Sequence, residues 1–143
     1  MLRVAVIWVM LPMLAVAISG CSSRKYEGRQ RIPLRGQVTV DGRPMDAGTI
    51  SFEPLDVQKN RPSGGVVLDG VYNVEEPMGA NEGSYRVVIH WQKPTGKKMR
   101  AIDSDEMIAQ RAEGLPAKYH SQTELTAEIT PDKTEWNFDL STK

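Results

Sequence analysis

An all-β fold, an antiparallel sandwich of about seven short strands, is what this sequence predicts, and three observations predict it. Apolar and polar residues alternate at a period of two in run after run between Leu34 and Leu140. The turn pairs Asp41-Gly42 and Asp69-Gly70, with isolated prolines, punctuate these runs. The span that carries them, residues 34–143, suits one compact domain and not two.

In the first run Leu34, Gly36, Val38 and Val40 share one face and Arg35, Gln37 and Thr39 the other, before Asp41-Gly42 turns the chain and Pro44 restricts it. Ile50 and Phe52 alternate with Thr49, Ser51 and Glu53 in a second strand that Pro54 stops. Residues 57–63 read as a polar loop. The next two strands, 65–68 and 71–74, flank Asp69-Gly70, the strongest hairpin signal in the chain. Pro77, Gly79 and Gly83 mark a connection. Tyr85, Val87, Ile89 and Trp91 then face one way against Arg86, Val88 and His90, and the large aromatics at both ends of that face predict the central strand of the core. Residues 93–120 interrupt the pattern as a charged insertion. Within it, residues 104–112 predict a short helix, capped by Asp103 or Ser104, with Met107, Ile108 and Arg111 at helical spacing. Leu125, Ala127 and Ile129 restore the period of two, Pro131-Asp132 turns the chain, and Trp136, Phe138 and Leu140 alternate through a last strand.

Upstream of the domain the physics is that of a membrane. Arg3 precedes an apolar run that closes at Ile18-Ser19-Gly20-Cys21. At roughly 15 residues this run is a signal-peptide core and falls short of the ~20 that a spanning helix needs. Its end resembles the lipobox of bacterial lipoproteins, an aliphatic residue and two small ones before an obligatory cysteine, with Ile18 where leucine is commoner. The resemblance implies cleavage between Gly20 and Cys21, a diacylglyceryl thioether on the Cys21 sulfur, and membrane attachment through that lipid. Ser22, in place of aspartate, points by the same resemblance to the outer membrane. The plain alternative is an ordinary secretory signal with an accidental cysteine. On this reading residues 1–20 are a cleaved signal, and residues 21–33 are the lipidated N-terminus and a flexible basic tether carrying Arg24, Lys25, Arg29 and Arg31. Such a tether is a solvated spacer, or one that leans on anionic headgroups.

Composition narrows the function classes. Removal of residues 1–20 costs one positive charge, Arg3, and leaves the remainder within one unit of neutrality, which gives no electrostatic basis for binding nucleic acid. Cys21 is the sole cysteine, so neither an intrachain disulfide nor a thiolate zinc site can form.

Four segments in order, Gly36-Gln37-Val38-Thr39-Val40-Asp41-Gly42-Arg43-Pro44, Gly48-Thr49-Ile50-Ser51-Phe52, Asp69-Gly70-Val71-Tyr72 and Gly83-Ser84-Tyr85-Arg86-Val87, resemble the transthyretin-like or carboxypeptidase regulatory-like family. Leu115-Pro116-Ala117-Lys118-Tyr119, followed by residues 125–140, is similar to the C-terminal part of short bacterial lipoproteins of that class. The resemblance implies a Greek-key β-sandwich over residues 34–143 and a stabilising or interaction module rather than an enzyme.

Relatives on this fold that are enzymes do not match. Hydroxyisourate hydrolases use histidines with arginine and a Tyr-Arg-Gly-Ser terminus, whereas this chain reads Leu140-Ser141-Thr142-Lys143 and has only His90 and His120. Intradiol dioxygenases bind iron through two tyrosines and two histidines; Tyr72, Tyr85, Tyr119, His90 and His120 supply the atoms without the paired-histidine spacing. Asp103, Asp105 and Glu106 lack the regular ligand spacing of a calcium loop. No catalytic residue, metal site or cofactor is therefore expected. Tyr119-His120, in the insertion, is the candidate surface-binding pair. The leading expectation is a lipid-anchored envelope module with a non-enzymatic role in envelope structure or in binding another envelope protein, with a hydrolase or metal enzyme on the same fold as the remote alternative. The alternative is an extracytoplasmic module that binds polysaccharide, for which Trp91 and Trp136 would be the stacking aromatics if their alternation did not turn them into the core.

Overall fold

The computed structural model describes residues 28–143. The predicted signal segment, with Gly20, and the lipidation site Cys21 lie outside the described residues. Nine strands form: β1 (Leu34–Val40), β2 (Arg43–Pro44), β3 (Ala47–Pro54), β4 (Ser63–Leu68), β5 (Val71–Val74), β6 (Gly83–Arg100), β7 (Met107–Glu113), β8 (Thr126–Ile129) and β9 (Phe138–Leu140). Their order is β2-β1-β5-β4-β3-β6-β7, with β8 added to β6 and β9 to β1. Every pairing is antiparallel except that of β9, which runs parallel to β1. The fold is all-β, and the only helical elements among the described residues are the 3₁₀ turns Glu76–Met78 and Ala117–Tyr119.

The period of two decides the core. Leu34, Val38 and Val40 of β1, Ile50 and Phe52 of β3, Val67 of β4, Tyr72 and Val74 of β5, and Tyr85, Val87 and Ile89 of β6 are buried on one face of the sheet. At the Asp69-Gly70 turn both residues adopt left-handed backbone (φ 49° and 77°), the primed geometry that suits a two-residue hairpin.

The sheet is closed on itself by Trp136. Its backbone N–H donates to the Arg35 carbonyl at 3.0 Å and its indole N–H to the Glu128 carbonyl at 3.2 Å, so one residue ties the β1 edge to the β8 edge. The Tyr72 hydroxyl donates to the Trp136 carbonyl at 2.7 Å from within the core, and burial, aided by the nearby Glu135 charge, pushes this phenol well above its ordinary pKa and keeps it protonated. Gly36 is where this segment crosses β1, and a methyl there would collide with the Trp136 carbonyl.

Two expectations are corrected. Residues 107–113 form a strand paired with the outer half of β6, not a helix. Met107, Ile108 and Arg111 supply barely one helical turn of pattern, and so short a helix with no core to pack on is marginal; β6, extended to Arg100, offers a full ladder of backbone partners instead. The tether is pinned before its predicted end at Pro33. Asn81 donates its amide to the carbonyls of Arg29 and Gln30, Arg31 donates to the Gly79 carbonyl at 2.9 Å, and Ile32 is buried beside Ala80. The Arg29 side chain donates to the Asn60 side chain at 3.3 Å as well.

If Trp136 closes the sheet, Trp136→Ala should destabilise the domain by about 3–5 kcal/mol, as loss of a large buried aromatic does. Tyr72→Phe, which deletes one buried hydrogen bond, should cost about 1 kcal/mol. Denaturant unfolding of the three proteins measures both, and equal losses from the two variants would contradict the closure.

Candidate functional site

The outer half of β6 leaves the sheet and takes β7 with it. Every residue from Gln92 to Arg100 is exposed, as is every residue of β7 except the half-buried Gln110. The result is a two-stranded ribbon about 25 Å long, a length set by the strand rise. It has no core of its own, and such a ribbon is marginal unless something fixes it.

Fixation happens at the root. Glu113, the last residue of β7, accepts backbone N–H bonds from Trp91 (3.1 Å) and Leu115 (2.9 Å) through one carboxylate oxygen and the His90 Nδ1–H at 2.7 Å through the other. His90 stacks on His120, with ring centroids 5.1 Å apart and planes 27° from parallel, and His120 donates its Nε2–H to the Leu115 carbonyl at 3.2 Å. Partial burial works against the Glu113 charge, but the bonds from Leu115, His90 and Trp91 outweigh it and hold the carboxyl below its ordinary value. Arg111 adds a second tie, donating to the Gln92 carbonyl at 2.7 Å and lying 3.4 Å from Asp46.

Of the predicted pair, then, His120 joins this cluster and Tyr119 does not. The Tyr119 hydroxyl accepts the Ser141 N–H at 3.0 Å and its ring packs on the core, which makes it a peg for the C-terminal segment. His90 and Glu113 are the members that sequence reasoning missed. Glu113 was hidden by the helical reading of residues 104–112; once β7 is a strand, its place opposite Gln92 sets it at the foot of the ribbon beside His90.

The cluster is a partly exposed hydrogen-bonded network, its His90 and Glu113 side chains being 45 % and 31 % exposed. Neither imidazole is hydrogen-bonded to a hydroxyl or thiol among the described residues, and no group of three or more His, Cys, Asp or Glu among them is arranged to hold a metal ion. Two of the surface grooves bear on the site. One, of about 540 Å³, runs beside the ribbon root and is lined by Asp41, Arg43, Asp46, half-buried Trp91 and Lys93. The other, of about 600 Å³, crosses β3, β4 and β6 over Gly64 and the Glu53–Arg86 ion pair. Trp136, the second aromatic considered for stacking, is buried. No helix among the described residues is long and apolar enough to cross a membrane.

A carboxyl whose folded value lies below its ordinary 4.5 stabilises the fold above that value, and the contribution is lost as pH falls through the folded value. Glu113→Gln should therefore cost about 1 kcal/mol at neutral pH, discounted for exposure, and should lose part of the wild-type decline in stability below pH 4.5. Unfolding midpoints measured from neutral pH into acid check this; parallel curves for the two proteins would refute it.

Comparison with protein-family models, with the curated proteins and with the solved structures returns no match for this chain.

Proposed function

We propose that this protein is a lipid-anchored module of a bacterial cell envelope, held to the membrane through Cys21, whose transthyretin-like Greek-key β-domain plays no catalytic part and presents the β6–β7 ribbon to a protein partner. The outer membrane is the favoured address, on the strength of Ser22. One observation carries the reading: a strand of 18 residues commits its first half to the core and its second half to solvent. A domain that needed only to fold would end β6 near Trp91. The ribbon tip also gathers exposed Met99, Ile102, Met107 and Ile108, the kind of apolar cluster that marks a contact site.

A second reading, a polysaccharide-binding module, is favoured by the groove of about 540 Å³ beside Trp91. Against it, Lys93 sits over the indole face at 5.2 Å and the indole N–H is already given to Asp46.

Metabolic labelling with fatty acid tests the anchor: the wild-type chain should carry label and lose residues 1–20, and Cys21→Ser should do neither. A photo-reactive residue at Met99 tests the arm and should cross-link to a protein chain in the envelope, an adduct lost when residues 95–110 are replaced by Asn-Gly. Unlabelled wild type would overturn the anchor, and absence of any adduct the arm. Retention on envelope polysaccharide that Trp91→Ala abolishes would favour the second reading.

A further inference from the structure

We infer that the end of the sheet where β6 begins is a bilayer-contact surface, with exposed Leu55, Val57 and Met78 entering the lipid interface beside the point where the chain arrives from Cys21. This names the surface on which an anchored domain rests, and it depends on the proposed lipid at Cys21.

Two connections carry these side chains, and the incoming chain is tied to both. Leu55 and Val57, in the loop that follows β3, are 64 % and 70 % exposed, and Met78, in the 3₁₀ turn before β6, is 66 % exposed. The Arg29 side chain donates to Asn60 of the loop, and the Arg31 side chain to the carbonyl of Gly79, next to Met78. Val57 and Met78 line the same groove of about 600 Å³ with Pro54 and Pro62, while Leu55 borders the neighbouring one with Arg29 and Asn60. Their display is fixed by hydrogen bonds. The Leu55 N–H donates to the Ser84 carbonyl at 3.0 Å, the Asp56 carboxylate accepts the N–H groups of Gln58 and Lys59, Asn60 donates its amide to the Glu82 carbonyl, and the Ser63 hydroxyl donates to the Met78 carbonyl at 2.6 Å. Turning the apolar side chains inward would break these bonds, so their exposure is built into the backbone.

The length of the tether selects lipid as the occupant. At most about 26 Å of backbone extends between Cys21 and Arg29, and Arg29 touches Asn60, in the same loop as Leu55 and Val57. The ribbon tip lies about 55 Å farther along β6. A lipid on Cys21 therefore keeps this end, with its exposed apolar side chains, close to the acyl chains. Charge at this end is balanced: Arg29, Arg31, Lys59 and Arg61 stand against Asp56, Glu75, Glu76 and Glu82, and Lys59 is paired with Asp56 at 3.0 Å. Nothing in that balance favours anionic headgroups, so apolar insertion carries the contact. Shallow insertion of this kind supplies a second hold beside the lipid itself.

The test places a photo-reactive residue in the full chain, expressed in bacterial cells, at Val57 in one variant and at Met99 in another, with fatty-acid labelling of each. A phospholipid adduct is expected at Val57 and none at Met99. With the probe at Leu55, the double substitution Val57→Asp with Met78→Asp should lose the phospholipid adduct, while the fatty-acid label and the circular dichroism of the purified chain stay as in wild type, because both side chains are exposed. Four results in a labelled chain would overturn the contact and leave the anchor standing: no phospholipid adduct at Val57, an adduct there to a protein or to the lipid on Cys21 itself, equal phospholipid adducts at Val57 and Met99, or an adduct at Leu55 that survives the double substitution. An unlabelled chain reads differently, as failure of the anchor, and the contact falls with it.

Discussion

Everything in this molecule depends on where Trp136 sits. An open sheet that buries one face must cover that face with its own edges, and the two edges here are far apart in sequence. Trp136 spans them, with its backbone on Arg35 of β1 and its indole on the Glu128 carbonyl of β8. The Tyr72 hydroxyl reaches the same residue from the core. Burying the indole also removes a large apolar surface from water, so the polar closure and the hydrophobic gain fall on one side chain. Gly36 and the parallel run of β9 along β1 follow from it, because the backbone that carries Trp136 needs room to cross and a strand to run beside.

Once the sheet is closed, β6 becomes the strand with the most to do. Its first half is paired on both sides, by β3 along Tyr85 to Trp91 and by β8 along Gly83 to Arg86. Beyond Trp91 it loses β3 and keeps only β7. That transition is where Glu113, His90, His120, Arg111 and Asp46 gather, and the ribbon is stiff at its root because a charged carboxylate is bonded to two backbone N–H groups there. Charge-assisted bonds of this kind are stronger than neutral ones. A root held in this way lets a ribbon without a core keep its direction.

The core was legible in the sequence because burial on one face of a strand leaves a period of two, and Leu34 to Val40 and Tyr85 to Ile89 have nothing competing with it. Both Asp-Gly turns were legible for a related reason, since few residue pairs accept left-handed backbone. The ribbon was not legible. Exposed strands carry no burial signal, and Met107, Ile108 and Arg111 matched a helix as well as anything else. Ile32 was overlooked because a single apolar residue among arginines makes no pattern, yet it lies in the core beside Ala80. The cluster at the root was half legible: His120 was singled out for its place in the insertion, but joining it to His90 and Glu113 required the register of β7 on β6.

The two ends of β6 give the molecule a polarity. The incoming chain is pinned at the Gly83 end, through Asn81 and Asn60, and the ribbon tip lies at the Arg100 end, about 55 Å away along a straight strand. On the proposed attachment at Cys21, at most about 26 Å of backbone separates that residue from Arg29, so the Gly83 end of β6 would face the bilayer and the ribbon tip would point away from it.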